Sequence, residues 1–201
     1  MVERSFERGC VDDVLTWYEE LSRGYDELYL EEQLSKYEVI ARELRLERLG
    51  RDGLKLLDVG CGTGGAAGFL GSIIMSSLYV GLDLSPSMCE LARKRLDRLG
   101  LLGDVVAGDY LEPPFREGAA DLVVSVTALT CSDALEEVVP SLRRLLRESG
   151  LLIYTILCST GLQDIGKNPC NSSITLSSRE LLCVDETHAP STPDRLLSLK
   201  L

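Results

Sequence analysis

Leu54-Lys55-Leu56-Leu57-Asp58-Val59-Gly60-Cys61-Gly62-Thr63-Gly64-Gly65 decides the fold of this chain. An apolar run closes on an acid, and a glycine then stands at every second position. Glycine allows positive φ in a tight turn and lets backbone approach a ligand that a side chain would hold away. A helix over residues 65 to 75 would offer unpaired N–H groups and a partial positive charge to an anion. The stretch therefore reads as a strand, a loop and a helix built around a small polar cofactor. Gly60, Gly62 and Gly65 also satisfy G-x-G-x-x-G, so a nicotinamide-dependent oxidoreductase is an alternative. Asp58 argues against it, because a carboxylate before the first glycine suits an ammonium group and not a pyrophosphate.

The next element is Ser77-Leu78-Tyr79-Val80-Gly81-Leu82-Asp83-Leu84-Ser85-Pro86-Ser87-Met88. Tyr79, Val80 and Leu82 form a second short apolar strand, with Asp83 at its carboxyl end. Ser85 is placed as an N-cap and Pro86 as the first helical residue. Leu91, Ala92, Leu96 and Leu99 recur at helical spacing until Gly100 stops the helix. Asp83 lies 19 positions beyond Gly64, the separation of an acid that grips a ribose hydroxyl pair from the neighbouring strand.

Asp58-Val59-Gly60-Cys61-Gly62-Thr63-Gly64, followed by Gly81-Leu82-Asp83-Leu84-Ser85-Pro86, resembles class I S-adenosylmethionine-dependent methyltransferases of the broad type 11 group. Val106-Ala107-Gly108-Asp109-Tyr110 and residues 114–125 extend the resemblance, which covers about residues 54 to 157. Tyr25-Asp26-Glu27-Leu28-Tyr29 is similar to the segment preceding this domain in many small archaeal members. The resemblance implies S-adenosyl-L-methionine as cofactor and gives each matched residue a role. Asp58 would sit near the methionine ammonium, through water. Backbone around Gly60, Gly62 and Gly64 would take the methionine carboxylate. Asp83 would accept both ribose hydroxyls, with Leu84 packed on the adenine. Asp109 would accept the adenine amino group, with Tyr110 beside the ring. Thr127 would line the wall next to the sulfonium. Some archaeal relatives work with a zinc-ribbon activator protein, so the resemblance also allows a small partner subunit.

Composition narrows the class. At 201 residues the chain suits one domain with a full core. No apolar run approaches the roughly 20 residues that span a bilayer, and Met1 to Glu7 lacks the plan of a signal peptide. Seven cysteines without a C-x-x-C pair give no zinc site or disulfide framework, so free thiols in a reducing cytoplasm are expected. No metal is expected. The net charge of −11, from 32 acids against 21 bases, disfavours unaided nucleic-acid binding. Arg42, Arg45, Arg48 and Arg51 interleave with Glu38, Glu43 and Glu47, and read as a solvated, ion-paired helix face. Arg143, Arg144 and Arg147 read the same way on a second helix.

The order of elements gives the architecture. Helices are expected over 11–22 and 31–49, the second with Leu34, Tyr37, Ile40, Ala41 and Leu44 on its apolar face. Strands at about 54–59, 79–83, 104–107, 121–126 and 151–157 alternate with helices, the last near 133–148. This implies an α/β fold with a Rossmann-like doubly wound parallel sheet. Two final strands are expected over 179–185 and 194–200. By resemblance the strand order is 3-2-1-4-5-7-6, with strand 7 antiparallel. Residues 1–50 form an amino-terminal helical extension packing on the same domain, and 51–201 the methyltransferase domain.

The acceptor side is thin in signal. Residues 158–173, rich in Gly, Asn, Ser and Pro, show no helical period and read as a loop. The stretch Ser125 to Ser132 lacks the Asn-Pro-Pro-Tyr of amino-group methylases, which argues against adenine-N6 and glutamine-amide acceptors. Cys131 reads as a packed or lining thiol, and His188, the sole histidine, as a turn residue. Tyr25 and Tyr29 either close over the cofactor or pack against the sheet. No catalytic residue is identified. The expected activity is methyl transfer from S-adenosylmethionine to an unidentified acceptor. The rivals are a nicotinamide enzyme and a non-catalytic partner subunit with the methyltransferase fold.

Overall fold

Leu56, Leu57 and Val59 bury side chains on both faces of their strand, the pattern of a central parallel strand. The computed structural model describes residues 11–46, 53–70, 78–130, 135–158, 172–177 and 180–186. Strand β1 (Lys55–Val59) lies between β2 (Leu78–Asp83) and β4 (Ala120–Thr130), parallel to both. Outward from these, β3 (Gly103–Ala107) pairs with β2, and β5 (Leu146–Leu157) pairs with β4. The last strands, β6 (Ser172–Ser177) and β7 (Glu180–Glu186), complete the order β3-β2-β1-β4-β5-β7-β6. Strand β7 runs antiparallel to both neighbours. Strand order reverses at β1, so the crevice beyond its carboxyl end is where such a sheet binds ligands.

Helices cover both faces. Helix α2 (Tyr25–Leu46), α3 (Gly65–Leu70) and α4 (Pro86–Leu99) bury Ile40, Ala67 and Ala92 against one face, with Leu56 and Ile153. On the other face α5 (Leu135–Arg144) buries Val138, Val139 and Leu142 against Leu57, Val123 and Leu152. A short α1 (Val11–Leu21) precedes α2 across a 3₁₀ turn over Ser22–Gly24. Helix α4 follows its expected punctuation. Ser85 Oγ accepts from Met88 N at 3.1 Å, Pro86 opens the helix, and Gly100 closes it at φ 64°.

Several expectations need correction. Helix α2 starts at Tyr25 and not near 31, continuing almost directly from the 3₁₀ turn. Its buried face is Gln33, Lys36, Tyr37, Ile40 and Ala41, while Leu34 is exposed. The helix is rotated so that two polar residues face inward. Helix α5 ends at Arg144, because β5 already begins at Leu146, with Ala120 opposite it in β4. Strand β6 begins at Ser172, within the last two residues of the stretch 158–173 expected to be a loop, so residues 180–186 form β7 and not the sixth strand. Ladder pairing with β7 overrides the weak strand propensity of Ser172-Ser173. The strand expected over 194–200, Cys131 and His188 lie outside the described residues, as do Arg48 and Arg51. Cys61 and Cys89 are free thiols, but Cys158 and Cys183 are disulfide-bonded, against the expectation of free thiols throughout. Sequence spacing does not show which sulfurs a sheet brings together.

Gly60 fixes the exit from β1. Its φ is +73°, and a Cβ there would stand 2.4 Å from the Cβ of Ala128, in the register shift between Ser125 and Leu129 of β4. Both backbone strain and overlap oppose a side chain. Gly60→Ala should lower unfolding free energy by about 1–3 kcal/mol, read from urea denaturation; an unchanged midpoint would refute the close approach.

Candidate functional site

The glycine loop is held from beneath by the strand beside it. The amides of Gly60 and Cys61 both donate to Leu82 O, at 2.8 and 3.0 Å. Gly62 N donates to Asp83 Oδ2 at 2.8 Å, and Ser85 N donates to Asp83 Oδ1 at 3.0 Å. Gly64 N donates to Cys61 O at 2.9 Å. The amides of Gly60, Gly62 and Gly64 therefore bond within the loop and to β2. These glycines shape the turn, with φ of 73°, 52° and 77°. Gly81 makes room for the same loop, since a Cβ there would lie 2.8 Å from Cys61 Sγ.

Asp83 keeps capacity for a ligand. A carboxylate has about four acceptor positions; Gly62 N takes one on Oδ2 and Ser85 N one on Oδ1, and the Leu84 amide bonds to the same group. Burial pushes the Asp83 carboxyl up, while the amides of Ser85, Gly62 and Leu84 pull it back toward the ionised form. Leu84 and Asp109 are half-buried beside it. Gly108 N donates to Asp83 O at 2.9 Å, bringing the turn after β3 against the end of β2. Asp109 Oδ1 accepts Leu111 N at 2.8 Å, and Tyr110 packs its ring against the core cluster containing Leu82. Asp58, Asp83 and Asp109 thus stand at the carboxyl ends of three adjacent strands, on one edge of the sheet.

Asp58 is placed differently from its two companions. It is 2% exposed, and Tyr79 Oη donates to its Oδ2 at 2.5 Å. Burial pushes its carboxyl up to about 7, against the lowering effect of the Tyr79 hydroxyl and with a further rise from Asp83. Asp58 therefore ties β1 to β2 through Tyr79.

Above the loop lie α1 and α2. Asp26 Oδ1 accepts the Thr63 hydroxyl at 2.6 Å, and its Oδ2 pairs with Arg95 on α4. Glu19 accepts from Ser85 Oγ at 2.5 Å and from Ser87 N at 3.1 Å, capping α4. Those serine hydroxyls hold its carboxyl below the usual range. Thr127 lies in the register shift between Ser125 and Leu129 of β4 with φ 59°, and its Oγ1 accepts from Lys36 Nζ at 2.9 Å and from Gln33 Nε2 at 3.2 Å. Tyr25, Gln33 and Tyr37 of α2 face Gly60, Gly62 and Val126 across a cavity of ≈ 20 Å³. Ligand pockets commonly hold about 300–1,000 Å³, so this volume holds roughly one water. Tyr25 closes over the loop, whereas the sequence left closure and packing open. Glu19, Gln33 and Lys36 escaped the sequence reading altogether, and Asp26 entered it only within the segment Tyr25 to Tyr29, with no role of its own. Only the 33/36/37/40/41 spacing on α2 signals that two of them point inward.

Among the described residues no cluster of His, Cys, Asp and Glu could hold a metal. No helix among them is long and apolar enough to cross a membrane. Arg147 pairs with Asp121, consistent with an ion-paired reading of that basic patch.

Residues 57–154 match a family model described as a methyltransferase domain. The chain is 35% identical over 105 residues to a phthiotriol/phenolphthiotriol dimycocerosates methyltransferase of Mycobacterium ulcerans, covering 52% of this chain and 38% of that protein. It is 28% identical over 162 residues to a fatty-acid O-methyltransferase of Mycolicibacterium smegmatis, covering 77% and 57%. The chain thus spans less than two thirds of either relative. A S-adenosylmethionine-dependent methyltransferase of Aquifex aeolicus shares the fold, with TM-score 0.58, 14% identity and coverage of 73% of this chain and 89% of that one.

Asp58 gives the site a pH signature. Its folded value of about 7 exceeds the ordinary 3.8, so the folded state holds this proton more tightly than the unfolded chain. The contribution of Asp58 to stability is most favourable at pH below 4 and declines as pH rises toward 7, with a slope of at most about 1.4 kcal/mol per unit. Asp58→Asn should flatten that decline in denaturation midpoints between pH 4 and 8. Parallel curves for both proteins would refute it.

Proposed function

We propose, from the class I S-adenosylmethionine-dependent methyltransferase domain formed by residues 57–154, that this chain moves a methyl group from S-adenosylmethionine to an acceptor. The observation that carries the reading is the Asp83 carboxylate. Gly62 N anchors its Oδ2 and Ser85 N its Oδ1, and the carboxylate so held stands at the carboxyl end of β2, the place from which an acid grips a ribose hydroxyl pair. A nicotinamide enzyme would use the same loop but leaves Asp58 and Asp109 without a role.

The bound donor supplies an electrophilic methyl carbon on a sulfonium. The chain's own work is then positioning and exclusion of water, because an activated electrophile needs alignment with the nucleophile more than proton transfer. Asp83 holds the ribose edge, and Asp109, with Oδ2 beyond its own turn, receives the adenine amino group. Leu84 and Tyr110 flank the ring. Asp58 ties β1 to β2 through Tyr79 and meets the ammonium only through water. Thr127 borders the reacting end, where α2 supplies the cover. The cavity of ≈ 20 Å³ between α2 and the glycine loop is smaller than a methionine tail, so seating that tail there involves a shift of α2.

Cytoplasmic residence belongs to the same reading and rests on the free Cys61 and Cys89 thiols. The disulfide-bonded Cys158 and Cys183 weigh against it. Protein trapped by alkylation in its host should carry Cys158 and Cys183 as thiols if it resides there. Recovery of both in oxidised form would place it in an oxidising compartment.

Calorimetry should show binding of S-adenosylhomocysteine in the micromolar range. Asp83→Asn should weaken that binding by about 1–3 kcal/mol, the value of hydrogen bonds to a charged group, while circular dichroism stays unchanged. Heat absent from the wild-type titration, or equal affinities in the two proteins, would sink the reading.

A further inference from the structure

Helix α2 presents polar groups where packing alone asks for carbon. Its inward stripe is Gln33, Lys36, Tyr37, Ile40 and Ala41, the spacing of a single helical face. Tyr37, Ile40 and Ala41 join the core, and Gln33 and Lys36 do not. The Lys36 side chain is only 5% exposed. Lysine is almost never buried so deeply unless paired. Here Nζ donates to Thr127 Oγ1 at 2.9 Å and pairs at 3.0 Å with Glu32 Oε1, whose side chain is 50% exposed. Gln33 Nε2 adds a donor to the same hydroxyl at 3.2 Å. Thr155 Oγ1 accepts Thr127 N at 2.7 Å and so secures a backbone conformation, φ 59°, that β-branched residues rarely adopt. An ammonium, an amide and two hydroxyls therefore converge at the irregularity in the carboxyl-terminal part of β4, between Ser125 and Leu129. Gln33 and Val126 extend that cluster to the cavity over the glycine loop.

We propose that Lys36 is an acceptor-binding residue and that the methyl acceptor is anionic, a small molecule bearing a carboxylate or comparable oxyanion. This rests on the methyltransferase reading above and adds the acceptor's charge to it. Glu32 is the exchangeable partner: it sits one turn away on the same helix with half its side chain in solvent, so an incoming oxyanion can replace it at Nζ. Glu32 returns to water when it leaves, whereas the buried ammonium needs another anion in its place, so exchange with an incoming oxyanion is favoured over simple loss of the pair. A cationic acceptor would meet the buried ammonium at its own reacting end and be repelled. A neutral one would gain nothing from displacing Glu32. Thr127 fixes where Nζ points, and its neighbour in β4, Ala128, is the residue against which Gly60 packs, so an anion at Nζ is held near the glycine loop.

The test divides a metabolite extract of the source organism by ion exchange into anionic, neutral and cationic pools. Each pool is incubated with radiolabelled S-adenosylmethionine and the full chain, either wild type, Lys36→Met or Lys36→Gln. The glutamine variant retains a donor for Thr127 but not the charge. Label should enter the anionic pool with wild type and fall at least tenfold with both variants. A second readout needs no turnover: the anionic pool should raise the melting temperature of the wild-type complex with S-adenosylhomocysteine, and not that of either variant. Affinity for S-adenosylhomocysteine should change less than twofold. Label in the neutral or cationic pool, no label in the anionic pool, or wild-type behaviour of Lys36→Gln would each overturn the proposal. Loss of S-adenosylhomocysteine binding by the wild type would instead strike the donor-site reading beneath it.

Discussion

The Asp83 carboxylate joins pieces of chain that would otherwise have no reason to meet. One oxygen takes Gly62 N from the loop after β1, and the other takes Ser85 N at the start of α4. The carbonyl of the same residue takes Gly108 N from the turn after β3. Three consecutive strand exits are thereby locked to one residue, and the shape of the crevice at the carboxyl ends of these strands follows from that lock. Charge-assisted hydrogen bonds to backbone amides are among the stronger polar contacts in a folded protein. Burial opposes the ionised form, and the amides oppose burial, so the site needs these amides in place to keep a charge at the crevice.

A second layer of contacts is built on the first. Glu19 reaches Ser85 and Ser87, which Asp83 and the α4 cap have already positioned. Asp26 reaches Thr63 in the loop and Arg95 on α4. Lys36 and Gln33 reach Thr127 in β4. The amino-terminal helices thus fasten to the crevice by polar side chains at three points. Polar fastenings open more readily than an apolar seam of equal extent, because water replaces each lost partner. The apolar share of α2 in the core, from Tyr37 to Ala41, lies toward its carboxyl-terminal half. A cover fixed at one end by packing and at the other by exchangeable hydrogen bonds suits a site whose resting cavity is smaller than a methionine tail.

Much of the sheet was legible beforehand because its signals are local. Alternation of short apolar strands with helices, the Ser85-Pro86 start and the Gly100 stop each act within a few residues of where they are read. Alternating glycines after an apolar run ending in acid likewise carry their meaning in place. What failed was non-local. The β6–β7 hairpin is specified by pairing with β5, and residues 172–177 carry too little intrinsic strand preference to show it. The rotation of α2 was misjudged because Leu34 and Leu44 suggest an apolar face, whereas Thr127, 91 residues from Lys36 in sequence, determines which face turns inward. The bonded state of Cys158 and Cys183 depends on the same kind of distant encounter.

Residue order alone dictated a parallel sheet with a glycine loop at its centre and acids at the ends of its first three strands. Those features follow from periodicity, turn chemistry and spacing, which any short window exposes. How each part is used was settled by folding in three dimensions. The loop amides bond to Leu82 and Asp83, Asp58 ties β1 to β2 through Tyr79, and a buried lysine stands at the far wall. A hydrogen bond or a buried charge is a relation between two places in space, and one chain of letters does not specify which places will touch.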